Sequence, residues 1–323
     1  MLNISAAEID AALDHRELVE TLRQAFRDGA VQPARHHHVV ERPDGAASTL
    51  LLMPAWSDFA AAGSSKDGFI GVKLVTVTPD NNKIAMPSVM GVYLLLDGTT
   101  CEPLAMIEGQ RLTLWRTACA SALASTYLSR ADSRRLLVIG AGALAPFLAR
   151  AHAAVRPIEK IAVWNRTAAN AEKVVAGLRA DGYEAETVAD LDSAVSAADI
   201  VTAATISTVP LVKGEKLKPG THVDLVGAFT PAMRESDEAA IMRSQVYVDT
   251  RFGAIREAGD VVQAIAEGTL RVEDIRGDLF ELARGWAPGR GSDEEITLFK
   301  SVGAAIEDLA AATAVYRKFQ ARN

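Results

Sequence analysis

Ile9, Leu13, Leu18, Leu22 and Phe26 recur at roughly helical spacing behind Ser5 and Glu8, a capping-box pair, so the chain is expected to open on an amphipathic helix. From Ser48 to Glu108 the texture changes. The runs "STLLLMPAW", "GFIGVKLVTVTP" and "GVYLLLDGTTCEPLAMI" are rich in β-branched residues and broken by Gly, Pro and Asp97-Gly98, which predicts a mostly antiparallel sheet. A long helix is expected from about Leu112 to Leu128. Beyond it, short apolar strands alternate with helical segments to about residue 265, the rhythm of a parallel, doubly wound sheet. The closing stretch "EEITLFKSVGAAIEDLAAATAVYRKF" reads as a strong helix. The expected boundaries are therefore residues 1–115 for a first, α+β domain, 116–295 for the doubly wound domain, and 296–323 for a C-terminal helix that returns to the first domain.

Composition narrows the class. The 323 residues, 49% hydrophobic and 23% charged, are enough for two packed domains. A formal charge of −7 with scattered Lys and Arg argues against nucleic acid as a partner. Cys101 and Cys119 are too few for a disulfide framework and fit a reducing compartment. The N-terminus lacks the basic-then-apolar pattern of a signal peptide, and no apolar run reaches about 18 residues, so a cytoplasmic protein without membrane contact is expected.

The chemistry begins at "LLVIGAGALAPFLARA". Strand Leu136 to Ile139 runs into Gly140, Gly142 and Ala145, matching G-x-G-x-x-G/A in the strand-turn-helix setting that a dinucleotide-binding Rossmann domain requires. Gly140 permits the tight turn, Gly142 lets backbone approach a pyrophosphate, and Ala145 lets helix and strand pack closely, with the helix N-terminus facing the phosphates. About 20 residues on, where an acid often grips the adenosine ribose, the chain reads Asn165, Arg166 and Thr167. A guanidinium there suits a 2′-phosphate, with Asn165, Thr167 and Asn170 adding neutral hydrogen bonds, so NADPH is expected over NADH, which remains usable. The competing reading of Arg166 is a solvated arginine after a strand. His36, His37 and His38 are adjacent and cannot all face one point in a strand, so no metal site is expected.

"VWNRTAANAEK", "GVKLVTVTPDN", "LWRTACASALA", "VGAFTPAMRE" and "LFKSVGAAIEDLAAA", in this order and spacing, make the whole chain resemble the ornithine cyclodeaminase/mu-crystallin family. The resemblance implies a homodimer built through the N-terminal substrate-binding domain, a Rossmann NAD(P)-binding domain, and an active site in the cleft between the two domains. It matches Arg35, Lys73 and Arg116 to the family's substrate-handling cations. It also extends the cofactor set beyond the residues above to Arg116, Thr117, Ala143, Leu144, Thr205, Ile206, Val226 and Ser301. The residues themselves suit the role, because a guanidinium holds a carboxylate in bidentate fashion. Lys73 interrupts an apolar strand, where an ammonium is costly unless it meets an anion or is partly neutral, which makes it a candidate proton donor or carboxylate ligand. The alternatives are an outward-facing strand lysine for Lys73 and a solvated helix residue for Arg116. Asp308 is expected on the same helical face as Ser301, seven residues earlier, and reads as structural. Glu108, Cys119 and the methionines of "MPSVMG" read as packing or surface residues.

Two departures from the cyclodeaminases decide the expected activity. Those enzymes carry an acid just after the "VG" strand end, where this chain has Phe229, and a Glu just before "LMP", where it has Leu51. Cyclising a diamine needs such polar handles, whereas reducing a preformed cyclic imine needs a hydride, a carboxylate clamp and one proton donor. Phe229 is then expected to cover the substrate ring. The expectation is an NADPH-dependent ketimine reductase of proline metabolism, converting Δ1-pyrroline-2-carboxylate to L-proline, with Δ1-piperideine-2-carboxylate as a second substrate. An alanine-dehydrogenase-like oxidoreductase, an ornithine cyclodeaminase and a non-catalytic NADPH-dependent binding protein are the alternatives.

Overall fold

The computed structural model describes residues 1–84 and 86–321 and divides them into two units: Met1–Arg116 with the helix Ala305–Gln320, and Thr117–Ala304. The last two positions of the expected C-terminal segment lie outside the described residues.

The first unit holds a seven-stranded sheet. Its strands are β1 (Leu2–Ile4), β2 (Ala30–Val31), β3 (His36–Val40), β4 (Ser48–Ser57), β5 (Phe69–Val77), β6 (Val89–Asp97) and β7 (Pro103–Glu108). The order is β1-β7-β6-β5-β4-β2, with β3 also on β4, and β4 to β7 are antiparallel neighbours. The turn after β6 is closed by Asp97, whose carboxylate accepts the backbone N–H groups of Thr99 and Thr100 at 2.9 and 2.8 Å.

The chain opens on β1, parallel to β7, and not on a helix. Three residues are too few to show a period. The expected single helix is also two, Ala6–Ala12 and His15–Asp28, because Asp14 accepts the N–H groups of Arg16 and Glu17 and starts a second helix. The Ser5–Glu8 capping box forms as read.

The helix expected from Leu112 begins at Gly109. Glu108 advances the start by accepting from the N–H groups of Gln110 and Arg111 at 3.1 and 2.6 Å, so this carboxylate caps a helix.

The second unit holds an eight-stranded parallel sheet. It comprises β8 (Arg135–Ile139), β9 (Lys160–Trp164), β10 (Ala185–Thr187), β11 (Ile200–Ala203), β12 (His222–Leu225), β13 (Gln245–Val248), β14 (Gly277–Asp278) and β15 (Thr297–Lys300). The order β10-β9-β8-β11-β12-β15-β13-β14 reverses direction between β8 and β11, the switch point at which such sheets bind ligands. Helices bury Leu137, Ile139, Val201, Val223 and Leu298 in one core cluster and Leu136, Val138, Ile161 and Ile200 in another, so the strands are buried on both faces. Inside the sheet, Asp224 accepts from Ser121 Oγ at 2.9 Å and Thr202 Oγ1 at 2.6 Å and meets His152 Nε2 at 3.2 Å, which fastens the helix Ala145–Val155 to β11 and β12.

The closing segment corrects the sequence reading. Thr297–Lys300 is not helix but β15, inserted between β12 and β13, and the helix starts only at Ala305. Gly303, at φ 80°, separates them, and "TLFK" is a four-residue buried strand that periodicity alone does not distinguish from a helix turn. Among the described residues no helix is long and apolar enough to cross a membrane.

Candidate active site

At the switch point of the second unit, Gly140 leaves β8 at φ 108°, and its N–H donates to Trp164 O at 2.8 Å. A Cβ there would stand 2.7 Å from Ala204 O, so only glycine lets the turn after β8 lie against the end of β11. A Cβ on Gly142, by contrast, would meet nothing within 4 Å. Gly142 and Ala143 are exposed, Leu144 is half-buried, and the helix from Ala145 begins with no side chain capping it. Its N-terminal N–H groups therefore face an open backbone cradle, the arrangement that fits a pyrophosphate.

Past β9, the Asn165 amide donates to Thr167 O at 2.9 Å and so shapes its own turn. Arg166, Thr167 and Asn170 are exposed at the start of the helix Ala168–Ala180. The Arg166 guanidinium has no partner among the described residues, so a cation stands beside a helix N-terminus, both suited to a phosphate. We expect Arg166→Ala to raise the Kd for NADPH by roughly ten to a hundredfold while changing that for NADH little. Titrating both nicotinamides by fluorescence checks it, and an equal loss for both contradicts the assignment.

The remaining nucleotide candidates divide. Thr205, Ile206 and Val226 lie at the carboxyl ends of β11 and β12, with Ile206 75% exposed. Thr117 and Ser301 are buried. The Ser301 hydroxyl donates to Asp249 at 3.1 Å, and Asp249 also accepts the N–H groups of Val302 and Gly303, so this serine holds the turn leaving β15. Phe229, 42% exposed, ends the turn after β12.

In the first unit, Lys73 on β5 is 2% exposed and Arg116 5%, which excludes the solvent-facing alternative for both. Their partners come from the terminal helix. Lys73 Nζ donates to Asp308 Oδ1 at 2.9 Å and to Thr113 Oγ1 at 3.4 Å, while Arg116 Nε donates to the same Asp308 oxygen at 3.0 Å. Arg116 Nη1 donates to Glu307 Oε2 at 2.6 Å. Two cations and two carboxylates thus neutralise one another, as buried charges must. Burial lowers the Lys73 pKa to about 8, helped by the charges of Arg116 and Arg35 and opposed by Asp308. Arg35 itself is half-buried between β2 and β3. Tyr93, directly opposite Lys73 on β6, is fully buried, and its hydroxyl lies where a Cβ on Gly71 would stand, so Gly71 makes room for it. Leu51, on β4, pairs with Val75 of β5 and offers no charge.

Sequence reasoning missed Glu307 and undervalued Asp308. The signal was present: two consecutive acids in an Ala-rich helix whose residues 305–312 are all buried cannot both reach solvent, and both are 0% exposed.

What the second unit can hold through Gly140, Gly142 and Arg166 is a pyridine dinucleotide, and the class of the molecule is an NAD(P)H-dependent oxidoreductase. The chain belongs to the ornithine cyclodeaminase/mu-crystallin family, whose model matches residues 2–323. It is 41% identical over 327 residues to Protein SAR DEFICIENT 4 of Arabidopsis thaliana, covering 99% of this chain and 98% of that one. It is 34% identical over 319 residues to a Δ1-pyrroline-2-carboxylate reductase of Colwellia psychrerythraea, covering 98% of each. The Δ1-pyrroline-2-carboxylate reductase of Thermococcus litoralis, solved in complex with NADH and L-proline, superposes with a TM-score of 0.92 at 34% identity, over 100% of this chain and 98% of that one.

Proposed function

We propose that this protein reduces a cyclic α-imino acid, converting Δ1-pyrroline-2-carboxylate to L-proline, accepting the six-membered homologue, and preferring NADPH. The observation that carries the reading is the buried Lys73, paired with Asp308 beside Arg116 and holding a pKa of about 8. An ammonium with that pKa keeps its proton at neutral pH yet releases it readily, the property wanted in a general acid. Arg35 and Arg116 hold the substrate carboxylate, which fixes the α-carbon. Lys73 gives its proton to the ring nitrogen. A reduced nicotinamide bound by the second unit would supply the hydride, and the α-carbon would take it up as the C=N bond becomes CH–NH. Gly140, Gly142, Ala143 and Leu144 hold the pyrophosphate, and Asn165, Arg166, Thr167 and Asn170 the phosphorylated ribose. Phe229 contributes an apolar face to the ring.

Leu51 and Phe229 leave no carboxylate at the two positions where the cyclodeaminases carry one, which favours a substrate lacking a second ammonium. Neutral side chains give such an ammonium at best a cation–π attraction of about 0.5 to 2 kcal/mol. The protein should therefore oxidise NADPH when given Δ1-pyrroline-2-carboxylate alone and release no ammonia from ornithine with NAD⁺. Steady ammonia release from ornithine overturns the reading, and NADPH oxidation only with pyruvate and ammonia favours the open-chain dehydrogenase.

A homodimer through the first unit's sheet is part of the same proposal. Leu74 and Val92, paired across β5 and β6, are exposed, as are Met90 on β6 and Val40 on β3, apolar side chains that a partner's sheet would cover.

A further inference from the structure

Beneath the carboxyl ends of β11 and β12 lies a second buried charge cluster, wholly within the second unit and separate from Lys73. Glu235, Asp260 and Lys300 are each 0% exposed. Lys300 Nζ donates to Gly227 O and stands 3.3 Å from Asp260 Oδ2 and 3.7 Å from Glu235 Oε2. Glu235 Oε1 accepts both the N–H of Thr205, at 2.7 Å, and its hydroxyl, at 2.8 Å. Asp260 Oδ1 accepts the N–H groups of Glu235 and Ser236, at 2.9 and 2.8 Å, and the Ser236 hydroxyl at 2.9 Å.

Glu235 and Lys300 bond directly to two backbone segments, Ala204–Ile206 and Gly227–Phe229, while Asp260 holds the backbone that carries Glu235. The segments also bond to each other, Ala228 N–H to Thr205 O at 3.2 Å, and the Ala228 carbonyl accepts from Gly259 N–H at 3.0 Å. They are pressed so closely that a Cβ on Gly227 would stand 2.1 Å from Thr205 O and 2.4 Å from Glu235 Oε1. Ala228 is held at φ 47°, a left-handed conformation that a non-glycine residue keeps only where its surroundings impose it. The first of these segments meets the Gly140 turn, since a Cβ on Gly140 would touch Ala204 O.

We propose that Glu235, Asp260 and Lys300 are positioning residues that set the backbone at the ends of β11 and β12 into the geometry that receives the nicotinamide half of the cofactor, and that they fix where Phe229 is presented. The proposal rests on the reading that this switch point holds a pyridine dinucleotide. None of the three side chains reaches solvent, so they act through the peptides they hold. A single ammonium here faces two carboxyls, and Oε2 of Glu235 and Oδ2 of Asp260 accept no hydrogen bond among the described residues. Burial and the neighbouring Asp260 raise the Glu235 pKa to about 7 against the pull of Lys300. The cluster therefore holds the two turns at a desolvation cost that an apolar core would avoid.

The test compares Glu235→Ala with Glu235→Gln, which retains an oxygen to accept from Thr205, in the full-length protein. Hydrogen exchange on the protein without cofactor reads the two segments directly, and fluorescence titration reads the Kd for NADPH. In Glu235→Ala, exchange should rise at 204–207 and 226–229 while the sheet interior stays protected, and the Kd should rise roughly tenfold or more. Glu235→Gln should restore both to within about threefold of the parent protein. Unchanged exchange in Glu235→Ala overturns the inference, and so does loosened backbone with an unchanged Kd. Loss of protection throughout the sheet in both variants also overturns it, because the residue would then serve only stability. A parent protein that binds neither nicotinamide overturns the functional reading itself, a result visible before any variant is made.

Discussion

Lys73→Met lowers kcat/KM for imine reduction by roughly 10² or more while leaving the Kd for NADPH nearly unchanged. Methionine preserves the length and apolar stem of the side chain, so β5 keeps its packing, and Asp308 keeps Arg116 as a partner at 3.0 Å. What disappears is the proton. The pH profile gives the sharper reading: a general acid acts in its protonated form, which is lost as pH rises through about 8. The parent enzyme should therefore lose kcat/KM on the alkaline side with an inflection near that value, and the residual activity of the variant should lack it. Steady-state assays from pH 6 to 10 decide this. Full activity in Lys73→Met, or an alkaline limb that survives it, would remove Lys73 from the chemistry.

Asp308→Asn should do comparable damage by another route. The amide keeps the shape of the carboxylate and removes the one negative charge that Lys73 and Arg116 share. Glu307 remains for Arg116 but is not bonded to Lys73, so the ammonium is left with burial and two like charges, all of which lower its pKa further. The alkaline limb should then move to lower pH, and kcat/KM at pH 8 should fall by roughly 10². Breaking a buried ion pair from one side also costs about 3 to 5 kcal/mol of stability, readable as a lower urea midpoint for the unit that carries it. A variant destabilised by that amount whose pH profile is unmoved would show that Asp308 supports the fold and does not tune Lys73.

The doubly wound sheet and its glycine turn were legible because the signal is local: strand, turn and helix follow one another within about 20 residues, and each glycine has a backbone reason to be there. Lys73 was legible for the opposite reason, as a charge in a strand whose neighbours are apolar. The charges that answer it were not. Asp308 lies 235 positions from Lys73, and nothing in a helical pattern says which element the acidic face will meet. The cluster of Glu235, Asp260 and Lys300 is dispersed in the same way, and Lys300 was further disguised by a four-residue strand inside a segment with helical periodicity. Elements set by turn chemistry, such as the second helix started by Asp14, were readable only with the capping side chain in view.

The terminal helix gives the molecule an order of assembly. Lys73 and Arg116 are translated well before both of their counter-ions, Glu307 and Asp308, which belong to the helix Ala305–Gln320. Until that helix arrives, the nascent first unit carries two cations bound for burial without Glu307 and Asp308 to meet them, which disfavours closing its core too soon. A chain interrupted between residues 300 and 305 can therefore possess every strand of both sheets and still leave Lys73 and Arg116 without Glu307 and Asp308.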